Sequence, residues 1–453
     1  MVNFNFNCVL LPSSECEDEI GEEELLQELE EDIIEWFRYC RMSSIDVATY
    51  YREQRRRIRR FPFARNGHMF MLDAMQCNSE QCYAEFRMYP AMLRTFTHIL
   101  RDEYGLRSSQ QVDVYEQVRM FLCILAHGKG YRQVRTLFNH SLQTIGHYFK
   151  IVLDAACEFA IRLIRPNPNY NHGAEHHVPN LNQHPLFENC IGAIDGTHVQ
   201  AILPRDERVN FIGRKGIPTQ NVLAACDFNL CFTFVHAGWT GTTHDSRMLA
   251  RSIHSPEIDF PHPAPGKFYL VDSGFAHKPG YMAPYKGSDI LYHFQQFYDA
   301  ETGRRRNFRN ARERFNFRHS SCRNIIERAF GVWKVRWKIL DRMPSYNFKM
   351  QTAVVLATMG MHNFLRRAGV VDEAFTRVET DPNAAEVELP DEQEQAAAEL
   401  NAPETQRNEW DRFRDFLAQI RGNKQQRSKN LSTNCKDDNE VDEAISHSPI
   451  QEL

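Results

Sequence analysis

Two short apolar runs, CIGAID (190–195) and KFYLVD (267–272), each end in an aspartate followed by a glycine or a serine–glycine pair. Short apolar runs bounded by turn residues read as buried strands. A carboxylate at the end of such a strand is costly unless it is paired or meets a cation. The two runs therefore constrain the fold. If their strands are parallel neighbours, Asp195 and Asp272 converge at one edge of a sheet. Further β-rich runs lie between them: HVQAIL (198–203), NVLAACD (221–227) and CFTFVHAGW (231–239). Phe228-Asn229-Leu230 between the last two reads as a hairpin turn. DSRMLARSI then reads as a helix with Asp245 or Ser246 as its cap. A long helix is expected from about Ser321 and a final one from about Phe348 to Arg367. Strands, a helix, a returning strand and then helices is the order of a ribonuclease H-like α/β fold.

Glu327 sits in the long helix among Ile325, Ile326, Ala329 and Phe330. That places it on or beside the face that packs on the sheet. Three carboxylates at a sheet edge suit a hard divalent cation such as Mg²⁺. Two such ions can clamp the attacking and leaving oxygens of a phosphodiester. The separations of 77 and 55 residues are unspecific by themselves, and capped or salt-bridged carboxylates are the plainer alternative. Asp245 reads as a cap or supporting group, and Asp227 as a strand-end or supporting group.

Residues 84–165 read as all-helical. Val114 to His127 carries one apolar face, Gly128-Lys129-Gly130 breaks it, and Tyr131 to Phe138 forms a short second helix. Ser141 can cap the helix that follows. Long helix, short helix, tight turn and third helix is the spacing of a helix-turn-helix. In that arrangement Gln143, Thr144 and His147 face a major groove, with Arg132 and Arg135 near phosphates; a plain helical bundle has the same outline. The stretch 166–184 reads as a linker, and its His172, His176, His177 and His184 lack ligand spacing for a metal. Residues 1–83 form a leader with an acidic amphipathic stretch and the basic cluster Arg55–Arg60, which reads as an import signal or a phosphate contact. Residues 185–367 make the candidate α/β domain. The tail, 368–453, is acidic and expected to be mostly disordered, with one apolar-faced helix at 408–420.

Charge is strongly segregated. Residues 15–35 hold twelve acids and no Lys or Arg, and residues 372–453 hold twenty acids against nine bases, so the body between carries about +18 although the whole chain is at −5. A basic body with acidic ends points to a polyanion partner. Arg304, Arg305, Arg306 and Arg309 lie in the densest basic stretch, 303–319, which has seven arginines and one glutamate and reads as a phosphate-contacting loop. Its 453 residues suggest two to four domains. No run approaches a membrane span. The acidic N-terminal stretch is unlike a secretory signal, and twelve cysteines without a CxxC pair read as reduced thiols.

Six blocks in order, IGAIDGTH (191–198), RKGIPTQNVLAACD (214–227), THDSRML (243–249), LVDSGF (270–275), NIIERAFGVWKVRW (324–337) and MHNFLRR (361–367), together resemble the PIF/Harbinger-type DDE transposases and their domesticated relatives, the Harbinger-derived nucleases. The resemblance covers about residues 84–367. It implies catalytic and metal-binding roles for Asp195, Asp272 and Glu327, with Mg²⁺ or Mn²⁺ as the cation. It also implies a ribonuclease H-like fold, DNA as substrate, a Myb/SANT-like DNA-binding partner, and action in the nucleus with shuttling to the cytoplasm allowed. The expected activity is phosphodiester hydrolysis, with strand transfer as a further step. Two alternatives stay open: a domesticated, non-catalytic nuclear adaptor for Myb/SANT-like or chromatin proteins, and a simple helix-turn-helix regulator.

Overall fold

The computed structural model describes residues 79–171, 187–204, 207–212, 216–287, 289–299, 303–369, 376 and 409–419. The leader, the Arg55–Arg60 cluster, the linker histidines and most of the tail lie outside the described residues. Every cysteine among the described residues is a free thiol. Among the described residues no helix is long and apolar enough to cross a membrane.

The chain enters through helices α1 (Ser79–Phe86), α2 (Pro90–Asp102), α3 (Val114–His127), α4 (Tyr131–Phe138) and α5 (Leu142–Leu163). Their ends follow local chemistry. Asp113 accepts a hydrogen bond from the Glu116 amide at the start of α3, and Gly128 closes it at φ 64°. Ser141 accepts from the Thr144 amide at the start of α5. α3 is buried almost all round, from Gln117 to Ala126, which makes it the central helix of this layer.

The sheet follows. Strand β1 (Cys190–Gln200) pairs antiparallel with β2 (Thr219–Cys226), and β2 pairs antiparallel with β3 (Phe232–Thr240). Helix α6 (Asp245–His254) leads to β4 (Phe268–Val271) and the two-residue β5 (Tyr281–Met282), both parallel to β1's direction. The strand order is β3-β2-β1-β4-β5. Helices α7 (Ala311–Arg336) and α8 (Phe348–Arg367) complete the body, and a last helix, α9, spans 409–419.

Three local expectations need correction. CIGAID and HVQAIL form one strand, because Gly196 and Thr197 stay paired with Leu223 and Val222 of β2 and never turn. The long helix begins at Ala311, ten residues before the expected start: Asn310 caps it by accepting from the Glu313 amide, and the Glu313 carboxylate accepts from the Arg309 amide. Half of the supposed basic loop is thus helix. The cap of α6 is His244, so Asp245 is the first helical residue and not the cap.

The sheet is covered on both faces. Ala193, Val222, Ala224, Phe232 and Leu270 join the helical layer in one apolar cluster, whereas Ile194, Leu223, Phe234 and Val271 pack with Met248 and Leu249 of α6. This is the two-residue alternation of strands, broken in β3 by the register shift opposite Ala225 and Cys226 that turns Phe232 and Phe234 to opposite faces. α8 lies between the sheet and the first helical layer, packed on α5 and β3. The close approach to α5 requires a glycine: a Cβ on Gly360 would lie 2.3 Å from the Cβ of Ala160. Helix α9 packs back on the sheet, with Trp410 and Phe413 about 6 Å from the Phe268 ring and Leu417 and Ala418 buried in the main cluster.

Candidate nuclease site

Register decides where the first two carboxylates go. Ala193 pairs with Leu270 and Ile194 with Val271, in parallel, so Asp195 and Asp272 stand side by side just past the last pair. Alternation puts Asp195 on Ala193's face and Asp272 on Leu270's, the face covered by α7. From α7 come Glu327 and, one turn earlier, Arg323. Arg323 Nη1 donates to Asp195 Oδ2 at 2.6 Å, Nη2 donates to a Glu327 carboxylate oxygen, and Nη2 lies 3.7 Å from Asp272 Oδ1. All three sequence-predicted carboxylates thus gather around a single guanidinium. That side chain is 9% exposed, so the ion pairs are largely shielded from water.

The electrostatics are uneven. Burial pushes the Asp195 carboxyl well above the ordinary range; Arg323 opposes this, but the carboxylates of Asp272, Asp245 and Glu327 push the same way. Burial acts on Asp272 too, yet there Arg323 and the Ser273 amide outweigh it and hold the carboxyl below its usual value. His319 donates toward the Met282 carbonyl at 2.8 Å, and burial lowers its pKa to about 4, so it is neutral near Asp272. Negative charge is concentrated here beyond what one arginine neutralises.

Asp245 joins the cluster from the other face of the sheet. Asn221 Nδ2 donates to its Oδ1 at 2.6 Å and to the Thr243 carbonyl at 2.9 Å. A small cavity of about 20 Å³ is lined by Asp195, Asp245, Asp272, His244, Ser246, Gly274 and Phe275. That is room for about one water or ion.

Asp227 stands apart. Ala224 of β2 is opposite Asp195, and Asp227 lies three residues further along, about 10 Å away at strand rise. Its Oδ1 accepts from the Asn229 and Cys231 amides and shapes the β2–β3 turn. It lines a different cavity, with Thr233 and Tyr269. Of the two roles read for Asp227 in the sequence, its bonds fit the strand-end one, shaping the turn after β2, and not a support for the carboxylate site.

The nucleic-acid candidates lie on the surface. Arg304, Arg305, Arg306 and Arg309 are exposed. Arg305 stacks over the Phe308 and Phe317 rings, and Arg309 pairs with the buried Glu313 at 2.6 Å. Gln143 and His147 are exposed on the first turns of α5, while the Thr144 hydroxyl is bonded to Ser141 Oγ at 2.8 Å. Sequence reasoning missed Arg323 and Asn221. The signal for Arg323 was its position four residues before Glu327, on the same side of one helix.

A metal fits these residues by donor type: every group is a hard carboxylate oxygen, and a cationic guanidinium already sits among three of them. Drawn onto Arg323, however, no three His, Cys, Asp or Glu side chains among the described residues form a group arranged to hold one ion.

A family model described as DDE superfamily endonuclease matches residues 194–363, and one described as a domain of unknown function matches 63–158. Among curated proteins, the chain is 25% identical over 207 residues to the human protein named "Putative nuclease HARBI1", covering 45% of this chain and 52% of that one. The bovine protein of that name is 26% identical over 207 residues, covering 45% and 52%. "Protein ALP1-like" of Arabidopsis thaliana is 27% identical over 168 residues, covering 34% and 37%. The chain thus spans about half the length of the curated relatives it matches, or less. No solved structure matches it. The first aspartate, the second and the glutamate all fall inside 194–363. The chain carries a DDE superfamily endonuclease domain and is a homologue of the Harbinger-derived nucleases.

Proposed function

We propose that this chain is a divalent-metal-dependent DNA endonuclease of the transposase type, with Asp195, Asp272 and Glu327 as catalytic and metal-holding residues. The observation that carries the reading is the gathering of these three side chains around one cationic centre at the end of β1 and β4. The strand order β3-β2-β1-β4-β5 with α7 behind it supports a ribonuclease H-like fold. Mg²⁺ or Mn²⁺, when bound, supplies Lewis acidity at the scissile phosphate and lowers the pKa of water. The protein's own groups do the rest. The sheet fixes Asp195 beside Asp272, α7 brings Glu327, and burial keeps bulk water from screening them. The exposed Arg304, Arg305, Arg306 and Arg309 hold the DNA backbone as phosphate contacts. Hydrolysis is the first reaction, and joining of a 3′-hydroxyl to target DNA is the extension the reading allows. The substrate is nuclear DNA, engaged with a Myb/SANT-like partner.

One observation favours a second reading. Arg323 already neutralises part of the cluster and holds the carboxylates on itself. A domesticated adaptor that binds a Myb/SANT-like or chromatin partner without cleaving would keep this resting arrangement. The two readings part in a Mn²⁺-dependent cleavage assay on terminal-repeat DNA, with and without a Myb-like protein. Cleavage that Asp195→Asn, Asp272→Asn and Glu327→Gln each abolish, with DNA binding nearly unchanged, is the expected outcome. No cleavage under any metal or partner selects the adaptor.

A further inference from the structure

We infer that Asp245 is itself one of the cation-facing carboxylates of this site, alongside Asp195 and Asp272, and not a support standing behind them. The inference rests on the metal-dependent reading above. Three observations carry it. First, the cavity between the strand ends is walled by the three aspartates Asp195, Asp245 and Asp272, whereas Glu327 and Arg323 are not in that wall. Arg323 holds its partners from the α7 side, whereas His244, Asp245 and Ser246 of the cavity wall come from the start of α6.

Second, the backbone is shaped to admit Asp245. Strand alternation turns Gly196 toward the α6 face. A Cβ there would sit 2.2 Å from Cγ, Oδ1 and Oδ2 of Asp245 alike. Only a residue without a side chain lets this carboxylate lie against β1 beside Asp195. Third, the carboxylate is aimed. Asn221, 1% exposed, is anchored by its bond to the Thr243 carbonyl and donates to Asp245 Oδ1. That is how a neighbouring hydrogen bond orients a metal-ligating carboxylate. A hard divalent cation held there would draw on oxygens of Asp195, Asp245 and Asp272 once these side chains turn from their resting partners Arg323 and Asn221.

The test is calorimetric titration of the full chain with Mn²⁺ in the absence of DNA, with thermal melts alongside. Asp245→Asn is expected to weaken Mn²⁺ binding by more than the roughly 10–100-fold that losing an outer support of a metal site costs. Gly196→Ala keeps the charge but pushes the Asp245 carboxylate aside, and is expected to weaken binding to a similar degree. Asp227→Asn, at the other end of β2, leaves the affinity unchanged. Wild-type Mn²⁺ affinity in a folded Asp245→Asn, with affinity lost in Asp195→Asn, overturns the role of Asp245 and leaves the metal-dependent reading standing. Should Asp245→Asn fail to fold, wild-type affinity in Gly196→Ala overturns it equally. A wild-type chain that takes up no Mn²⁺ overturns both.

Discussion

Asp195 and Asp227 share a sequence signature: each ends an apolar strand run, CIGAID in one case and NVLAACD in the other. Their surroundings differ. Asp227 Oδ1 receives two backbone amides from its own turn, 2.9 Å each. Burial still raises its pKa, but those amides and the nearby Arg367 and Arg366 work against the rise. Asp195 receives one amide, from Gly196, and otherwise faces three more carboxylates and one arginine. One aspartate is hydrogen-bonded by its own turn; the other takes a side-chain hydrogen bond from a residue 128 positions away. The difference is one of hydrogen bonding: a strand-end carboxylate turned into its own turn is held by backbone amides, whereas one turned toward other carboxylates needs a cation from elsewhere in the fold.

Removing Arg323 is the strongest way to test that dependence. Arg323→Gln leaves buried carboxylates without their counter-ion, a loss of about 3–5 kcal/mol where such pairs are broken. Melting in the presence of Mn²⁺ should recover much of it, because the cation replaces the missing charge. A variant as stable as the wild type in metal-free buffer would show that the carboxylates do not need the guanidinium.

Asp227→Ala provides the opposite control. It removes the acceptor for two amides and should cost about 1–3 kcal/mol in a denaturant melt. Any activity measured per folded molecule should stay intact. Activity lost together with Asp227 would erase the contrast drawn between the two ends of the sheet.

The basic surface sharpens the comparison from outside the site. Arg304, Arg305 and Arg306 changed together to Ala should weaken binding to all DNA sequences about equally, and should lower the salt slope by about 2–3, near 0.9 for each lost phosphate contact. A fluorescence titration at several salt concentrations reads this. Arg305's stacking on Phe308 and Phe317 sets the smaller end of that range.

The smallest effect is a pH dependence in the helical layer. His140 Nε2 lies 3.0 Å from Glu116 Oε1, and that hydrogen bond raises the histidine pKa against the effect of burial. A folded pKa above the unfolded one means stability that is full below the ordinary histidine pKa and is lost as pH rises through the raised value. Glu116→Gln should flatten that slope and bring the His140 titration down, as seen by NMR. An unchanged His140 titration in the variant would break the assignment.

The helices were the most legible part of the chain. Val114–His127 and Tyr131–Phe138 stand where periodicity and the Gly128-Lys129-Gly130 break put them, and Ser141 caps the helix that follows, because caps and breakers act within a few residues. The meeting of Asp195 with Asp272 could be posed from sequence but depended on a parallel pairing that spacing does not encode. Asp245 was visible as an acid, yet its approach depends on Gly196 and Asn221, two residues with no obvious chemistry of their own. Arg323 was hidden because a search for metal ligands looks for anions. Strand β5 is two residues long, too short to show any period. For the tail helix the apolar face was readable, and its partners Phe268 and Tyr285, more than a hundred residues earlier, were not.

That tail helix has a consequence for the order in which the protein can be made. Tyr285 is gripped by α9: its hydroxyl donates to Asp415 at 2.7 Å, and Arg414 lies 4.1 Å over its ring. Asp415 is 130 residues later in the chain. At 5–20 residues per second, a ribosome needs on the order of ten seconds to cross that interval. Throughout that time β4 and β5 emerge with Phe268 and Tyr285 lacking the α9 part of their cover. During synthesis this edge of the sheet is therefore where a chaperone or a second nascent chain would find apolar surface, and it is sealed only when the ribosome has passed residue 419.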